Sequence, residues 1–432
     1  MPDKEETLCD LIVIGTGLAG LSAALFAARR GIDTVLVGLT GEIGFASGLL
    51  DLLGVHPVAD GRMVKDPWRA LERLRREEPG HPYGKIDNDV IRKSIADMLA
   101  FLAESGYPYW CDSQANLRMV TPVGTCKPTY AVPHTMQYGP VALAQKTPCL
   151  LVDFEGLKGY SAIQIAAKLS ACHPHLRTLR IAFPEGRGEL YTEHMARALE
   201  TTAVRATLIE AIRPHIGDVL CIGLPAILGI YDTVRVLEDL TQGLGRPVFE
   251  IPTMVPGVTG VRLQELFGRR LPALGVRCLM QQRVWNTWRR TDGRWSLAVG
   301  QNTAERTVRA RSVMLCSGRF FGKGLCADRH GIRETIFDVP VVQPFDRTLW
   351  HNKDLLHAPG HPINRAGLAV DHRFRPTGDQ GRVVFPNLFA AGTILAYQDW
   401  VRQKCGSGLA IATAYAAVAA CHEYLKEVES AK

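Results

Sequence analysis

A chain of 432 residues with 47% hydrophobic and 22% charged side chains is long enough for two or three domains and too evenly mixed for a disordered or fibrous protein. Its formal net charge of +7 is spread along the sequence, and the densest basic cluster, RALERLRREEPG, mixes its signs, so a solvated helix face is expected there and no nucleic-acid patch. The eleven cysteines include no C-x-x-C, which excludes iron–sulfur or zinc sites built from local ligand pairs and the close redox pair of a disulfide reductase.

The N-terminal region opens on LIVIGTGLAGLSAALFAARRGI. Residues 11–14 are expected to form a buried strand, the glycines a turn, residues 18–30 a helix closed by Gly31, and residues 34–37 a second strand. In this G-x-G-x-x-G pattern Gly15 permits the tight turn, Gly17 lets a phosphate approach the backbone, and Gly20 lets helix and strand pack closely. With Leu18 and Ala19 they offer the unpaired N–H groups and positive dipole end of a helix to a phosphate. In such folds the second strand normally ends on Asp or Glu, about 20 residues beyond the glycines, to hold a ribose hydroxyl. Here it runs into Gly38. A missing ribose acid suits FMN, which stops at the ribityl phosphate; FAD held at its ribose by Glu42, water or backbone is the other reading, and the residues alone leave both open.

From about His56 the character changes to prolines, mixed charges and helix-like stretches, continuing to about residue 255. Within it KTPCLLVDFEGLKGYSAIQIAAKLSA reads strand–loop–helix and DVLCIGLPAILG supplies another buried segment, as expected of an inserted second domain. PTMVPGVTGVRL is expected as the return crossing, followed by an amphipathic helix, LQELFGRRLPALG, and by alternating strands around RVWNTWRRTDGRWSLAVG and RTVRARSVMLCSG. The chain ends in a strand, NLFAAGT, and a long helix from Ser407 to about Lys426. VLCIGLPAILGIY and GLAIATAYAAVAA fall short of the roughly 20 apolar residues that span a bilayer. Free thiols and no recognisable signal peptide point to a reducing cytoplasm.

RSVMLCSGRF and VFPNLFAAGT…CGSGLAIATAYAA fit the strand, glycine-rich loop and terminal helix that approach the flavin in two-domain flavin enzymes. The fold class expected is therefore α/β: a two-domain flavoprotein with a Rossmann-like flavin domain of the FAD/NAD(P)-binding type, residues 1–55 and 256–432, and an inserted cap, residues 56–255. The expected cofactor contacts are Gly15, Gly17, Leu18, Ala19, Gly20, Ser47, Gly48, Gly392, Gly406, Gly408 and Leu409. No second G-x-G-x-x-G is present for a nicotinamide domain, no metal site is expected, and the loop GFASGLLDLL has no histidine for a covalent flavin tether.

Several stretches resemble the B-subunit family of anaerobic glycerol-3-phosphate dehydrogenase, a flavoprotein family. ASGLLDLL is similar to that family's S-G-x-L-D-L-L, TPVGT at residues 121–125 to its T-P-x-G-T, and GVRLQ at residues 260–264 to its G-[IV]-R-L-Q. The densest match is SGRFFGKGLCADRHGIRE, residues 317–334. Arg319 and Lys323 within it, and Lys404 and Ser407 near the C-terminus, depart from the family's pattern. The resemblance implies an FMN-containing subunit that works with an A-type catalytic flavoprotein and an iron–sulfur C-type subunit at the membrane. That assembly oxidises sn-glycerol 3-phosphate to dihydroxyacetone phosphate and passes electrons towards quinone. It would place this chain in the cytoplasm, associated with the membrane through its partners.

The oxidation needs a base for the C2 hydroxyl, a flavin to take the hydride and a cationic clamp on phosphate. Lys127, Arg262, Arg329 and Arg333 are the candidate cations for substrate or partner, each also readable as a surface charge or structural salt bridge. Arg329 and Arg333 would share one face if GIRE began a helix. His330 has a structural reading, and no residue is named as the base. Two roles stay open: substrate oxidation in this chain, or an electron-relay and interaction subunit whose partner oxidises the substrate. An FAD-dependent dehydrogenase of another substrate is what analogy of fold alone would give.

Overall fold

The computed structural model describes residues 6–39, 42–184, 186 and 188–431, the side chain of Glu42 excepted. Packing divides the chain into two compact units, Met1–Glu42 with Val55–Met98 and Phe267–Lys432, and Ile43–Gly54 with Leu99–Leu266.

In the first unit the strand β1 (Glu6–Ile14) has Leu11, Ile12 and Val13 with no exposure, as an interior strand of a parallel sheet covered on both faces requires. It pairs in parallel with β2 (Thr34–Gly38) on one side and with Arg306–Leu315 on the other. Arg277–Met280 extends the sheet beyond β2. Arg306–Leu315 forks, pairing antiparallel with Trp295–Gly300 through its first half and parallel with Leu388–Ala390 through its second. The strands expected around residues 283–315 are present as Arg283–Arg289, Trp295–Gly300 and Arg306–Leu315. Helix α1 (Leu18–Ala28) is apolar on all sides because it lies between the sheet and the terminal helix Gly406–Ser430, where Phe26 meets Tyr415 with ring centroids 4.9 Å apart.

The second unit has its own parallel sheet in the order Val248–Ile251, Cys221–Pro225, Cys149–Phe154, Leu176–Ile181. The strand–loop–helix expected from residue 146 appears as Cys149–Phe154 followed by Ala162–Leu169, capped by Ser161. Cys149 and Cys221 stand opposite one another on neighbouring strands with Cα atoms 4.9 Å apart and are joined as a disulfide, which corrects the expectation of free thiols at these two positions.

Two further expectations are corrected. The segments flanking residue 55 exchange units: Val55–Met98 packs in the first, with Trp68, Leu71 and Leu74 of the helix Pro67–Glu77 buried and the Val55 N–H donated to the Gln403 carbonyl. Ile43–Gly54 packs in the second, where Leu50 exchanges backbone hydrogen bonds with Ala131. GIRE does not begin a helix. Asp328 accepts the N–H groups of His330 and Gly331 and turns the chain, so that Ile332–Glu334 pairs antiparallel with Leu325–Ala327.

Candidate functional site

The turn between β1 and α1 is forced by its glycines. Gly15 has φ +120°, and a Cβ there would stand 2.2 Å from the Cys316 carbonyl oxygen; one at Gly20 would stand 1.7 Å from the Gly15 carbonyl oxygen. Gly17 caps α1 without a side-chain hydrogen bond, and the helix has no acidic residue in its first turn, so its first N–H groups face outward unopposed.

Beside this turn, wholly within the first unit, lies a cavity of about 850 Å3. Arg283, Lys323 and Arg333 line it and, among the described residues, no Asp or Glu does, so the described wall presents an anionic ligand with no like charge. Two buried polar atoms on its wall, Ser317 Oγ and Gln282 Oε1, have no hydrogen-bond partner among the described residues. Such atoms are costly unless a ligand or water meets them. Helix N-terminus, cations and orphaned polar atoms together fit the phosphate end of a flavin nucleotide.

At the end of β2, Gly38 has no room for a side chain: a Cβ would stand 2.8 Å from both Cγ2 and Oγ1 of Thr16. Thr16 Oγ1 donates to the Leu39 carbonyl, which fixes it there. A Cβ would also stand 2.9 Å from the Thr16 backbone nitrogen, so backbone and side chain together leave no room for an acid at position 38. The Glu42 side chain, the other sequence candidate for the ribose, lies outside the described residues.

The remaining expected cofactor residues separate by unit. Gly392, with φ +83°, would drive a Cβ to 2.5 Å from Ala19 Cβ, so its loop is pressed on the first turn of α1. Its N–H donates to Thr413 Oγ1, and that hydroxyl donates to the Leu409 carbonyl, which ties the loop to the start of the terminal helix at Gly406 and Gly408. Ser47 and Gly48 belong to the second unit, where Gly48 packs on Thr259.

The candidate cations also part company. Arg262 donates bidentately to Glu250 at 2.7 and 2.8 Å and to the Gly229 carbonyl at 2.8 Å, all inside the second unit. Burial opposes its charge, but Glu250 and Tyr107 more than offset this and hold the guanidinium further into its charged range. Its donors are committed to a structural ion pair. Lys127 pairs with Asp51 at 2.6 Å. Arg329 and His330 are exposed on the hairpin turn, whereas Arg333, on the returning strand, lines the cavity.

Sequence reasoning missed two histidines of the first unit. His56 is buried, with Nε2 2.9 Å from Glu77 and Nδ1 3.9 Å from Glu78. His81 is fully buried; its Nδ1 accepts from the Tyr83 N–H, so Nε2 carries the proton towards Gln403 Oε1 at 3.3 Å. Burial pushes His81 down to about 3 and keeps it neutral. It lines a second cavity, of about 460 Å3, with Glu77, Glu78, Arg365 and Tyr397. The one signal in the sequence is that each histidine precedes a proline.

The model of the FAD binding domain matches residues 10–409 of this chain. A probable B subunit of anaerobic glycerol-3-phosphate dehydrogenase from Halobacterium salinarum is 33% identical, covering 97% of this chain and 99% of that protein. The B subunit of anaerobic glycerol-3-phosphate dehydrogenase from Vibrio cholerae (El Tor Inaba) is 31% identical over 95% of each. Among solved structures, the 3-ketosteroid-Δ4-(5α)-dehydrogenase of Rhodococcus jostii is 13% identical, covers 98% of each chain and gives a TM-score of 0.40, too low to carry an argument. Fold and site thus define a flavin-binding α/β protein of the FAD binding domain class. Within that class the chain belongs to the B-subunit family of anaerobic glycerol-3-phosphate dehydrogenase.

Proposed function

We propose that this chain is the flavin-containing subunit of a complex that oxidises sn-glycerol 3-phosphate to dihydroxyacetone phosphate. The observation that carries the reading is the cavity at the N-terminus of α1, lined by Arg283, Lys323 and Arg333, in a chain that aligns with B-subunit proteins almost end to end. When bound, the flavin supplies a two-electron acceptor. The protein's part is to hold phosphate on the N–H groups after Gly15, to offset its charge with Lys323 and Arg333, and to meet polar groups with Ser317 and Gln282.

For the cofactor's identity the match to the FAD binding domain favours noncovalent FAD. FMN is the second reading, favoured by the closed position at Gly38, which admits no acid there for an adenosine ribose. Mass spectrometry of the flavin released by mild acid decides between them.

In the full reading electrons leave through an iron–sulfur C-type partner towards quinone, beside an A-type flavoprotein, and attachment to the membrane comes from those partners. No described helix is long and apolar enough to cross a membrane. The alternative is a relay subunit whose partner oxidises the substrate. Mixing the chain anaerobically with glycerol 3-phosphate, with and without its partners, separates the two: substrate bleaches the flavin of the lone chain only in the first.

A further inference from the structure

The acid that usually meets a ribose at the end of β2 is shut out at Gly38, yet an acceptor stands beside that position on the neighbouring strand. Arg277–Met280 runs parallel to β2, with Met280 opposite Gly38. Gln281 then breaks the strand with φ +60°, a conformation that residues with side chains seldom adopt. Gln282 follows and donates its N–H to the Gly38 carbonyl at 3.3 Å. One backbone hydrogen bond therefore separates Gln282 from the place where such folds carry their ribose acid.

The Gln282 side chain lines the same cavity as Gly15, Gly17 and Gly38. Its Oε1 is buried and meets no donor among the described residues. A carboxamide oxygen can accept two hydrogen bonds, and leaving it buried without one is costly unless a ligand or water meets it. The order of the sheet says which part of a dinucleotide this atom would meet. Arg277–Met280, β2, β1 and Arg306–Leu315 lie side by side, so the phosphate turn after β1 stands between the two orphaned atoms of the wall. Ser317 Oγ follows Arg306–Leu315 on one side, and Gln282 Oε1 lies beyond β2 on the other, the ribose side.

We propose that Gln282 takes the place of the missing acid, its carboxamide oxygen accepting from the ribose hydroxyls at the adenosine end of FAD. The proposal rests on the FAD reading above. A neutral acceptor holds those hydroxyls without adding negative charge beside the phosphates.

The test is calorimetric titration of the full chain, stripped of flavin, with FAD and with FMN. The parent, Gln282→Met and Gln282→Glu are compared, beside thermal melting of each flavin-free form. Gln282→Met keeps the bulk and removes the acceptor. It is expected to weaken FAD about tenfold and to leave FMN, which has no adenosine, within about twofold of the parent. With the orphaned acceptor gone, its flavin-free form should melt no lower than the parent. Gln282→Glu, whose carboxylate also accepts from hydroxyls, is expected to hold FAD within about threefold of the parent. A methionine variant that binds FAD as the parent does overturns the proposal. So does one that loses FAD and FMN equally or melts lower without flavin, since either marks a structural role. Where the parent takes FAD alone, the FAD loss and the flavin-free melt decide. Should the methionine variant not fold, the glutamate variant decides, retained FAD supporting the proposal and a tenfold loss of FAD overturning it. A parent chain that binds FMN and refuses FAD sinks the FAD reading and the proposal with it, whereas an unmoved methionine variant of an FAD-binding parent removes the proposal alone.

Discussion

Thr16 fills the space that any side chain at position 38 would need, its Cγ2 and Oγ1 each 2.8 Å from where a Cβ would stand. Restoring the usual acid by Gly38→Glu is therefore expected to damage the fingerprint, not improve it. Overpacking of this kind costs about 1–3 kcal/mol. Denaturant melts should show that loss together with weaker flavin retention, and pairing the change with Thr16→Gly should not restore either, because the residue-16 backbone nitrogen also stands 2.9 Å from that Cβ.

Gly17→Asp is expected to abolish flavin binding while sparing the fold. A carboxylate at the N-terminus of α1 would occupy the phosphate approach and repel the phosphate, though the helix dipole itself tolerates a negative charge. Flavin absorbance per chain, read beside circular dichroism, checks both halves of the statement.

Arg333→Ala and Lys323→Ala are expected to weaken flavin retention together by several-fold, with an effect that shrinks as salt rises, because both charges line the phosphate cavity. Arg329→Ala, on the exposed turn four residues before Arg333, should leave retention unchanged. Equal effects from Arg329 and Arg333 would contradict the placement of the cavity.

Glu250→Gln should destabilise the second unit by about 3–5 kcal/mol, since it strands the buried Arg262 guanidinium. Replacing both partners by apolar residues of similar volume should cost much less. Urea melts of the single and double variants measure the difference.

His81 predicts a pH dependence of stability. Its folded value of about 3 lies below the ordinary 6.5, so between these pH values the unfolded chain binds the proton that the folded chain refuses. Stability from this group is complete above pH 6.5 and falls as pH drops towards 3, by at most about 1.4 kcal/mol per unit. His81→Gln, which can still accept from Tyr83 and donate to Gln403, should flatten that slope between neutral pH and pH 5.

The β–α–β opening was legible because its signals are local: an apolar run, three glycines at fixed spacing and a helix closed by Gly31. The terminal helix and the strands flanking residue 300 were legible for the same reason. What escaped the sequence depends on distant partners. His81 meets Gln403 across 322 positions, and Thr16 becomes decisive only when β2 brings Gly38 against it. Arg329 and Arg333 would share a face only if GIRE began a helix, a condition their spacing cannot supply. Asp328 capping two successive N–H groups, with Gly331 at φ +157°, turns the segment into a hairpin that parts the two arginines.

The most direct test of the proposed function is anaerobic mixing of the purified, flavin-loaded chain with sn-glycerol 3-phosphate, alone and with its partner subunits, followed by flavin absorbance and quinone reduction. Substrate is expected to bleach the flavin, and sustained quinone reduction is expected to require the partners. A flavin that stays oxidised with substrate even in the assembled complex would contradict the proposed function, and full quinone turnover by the lone chain would contradict its dependence on partners.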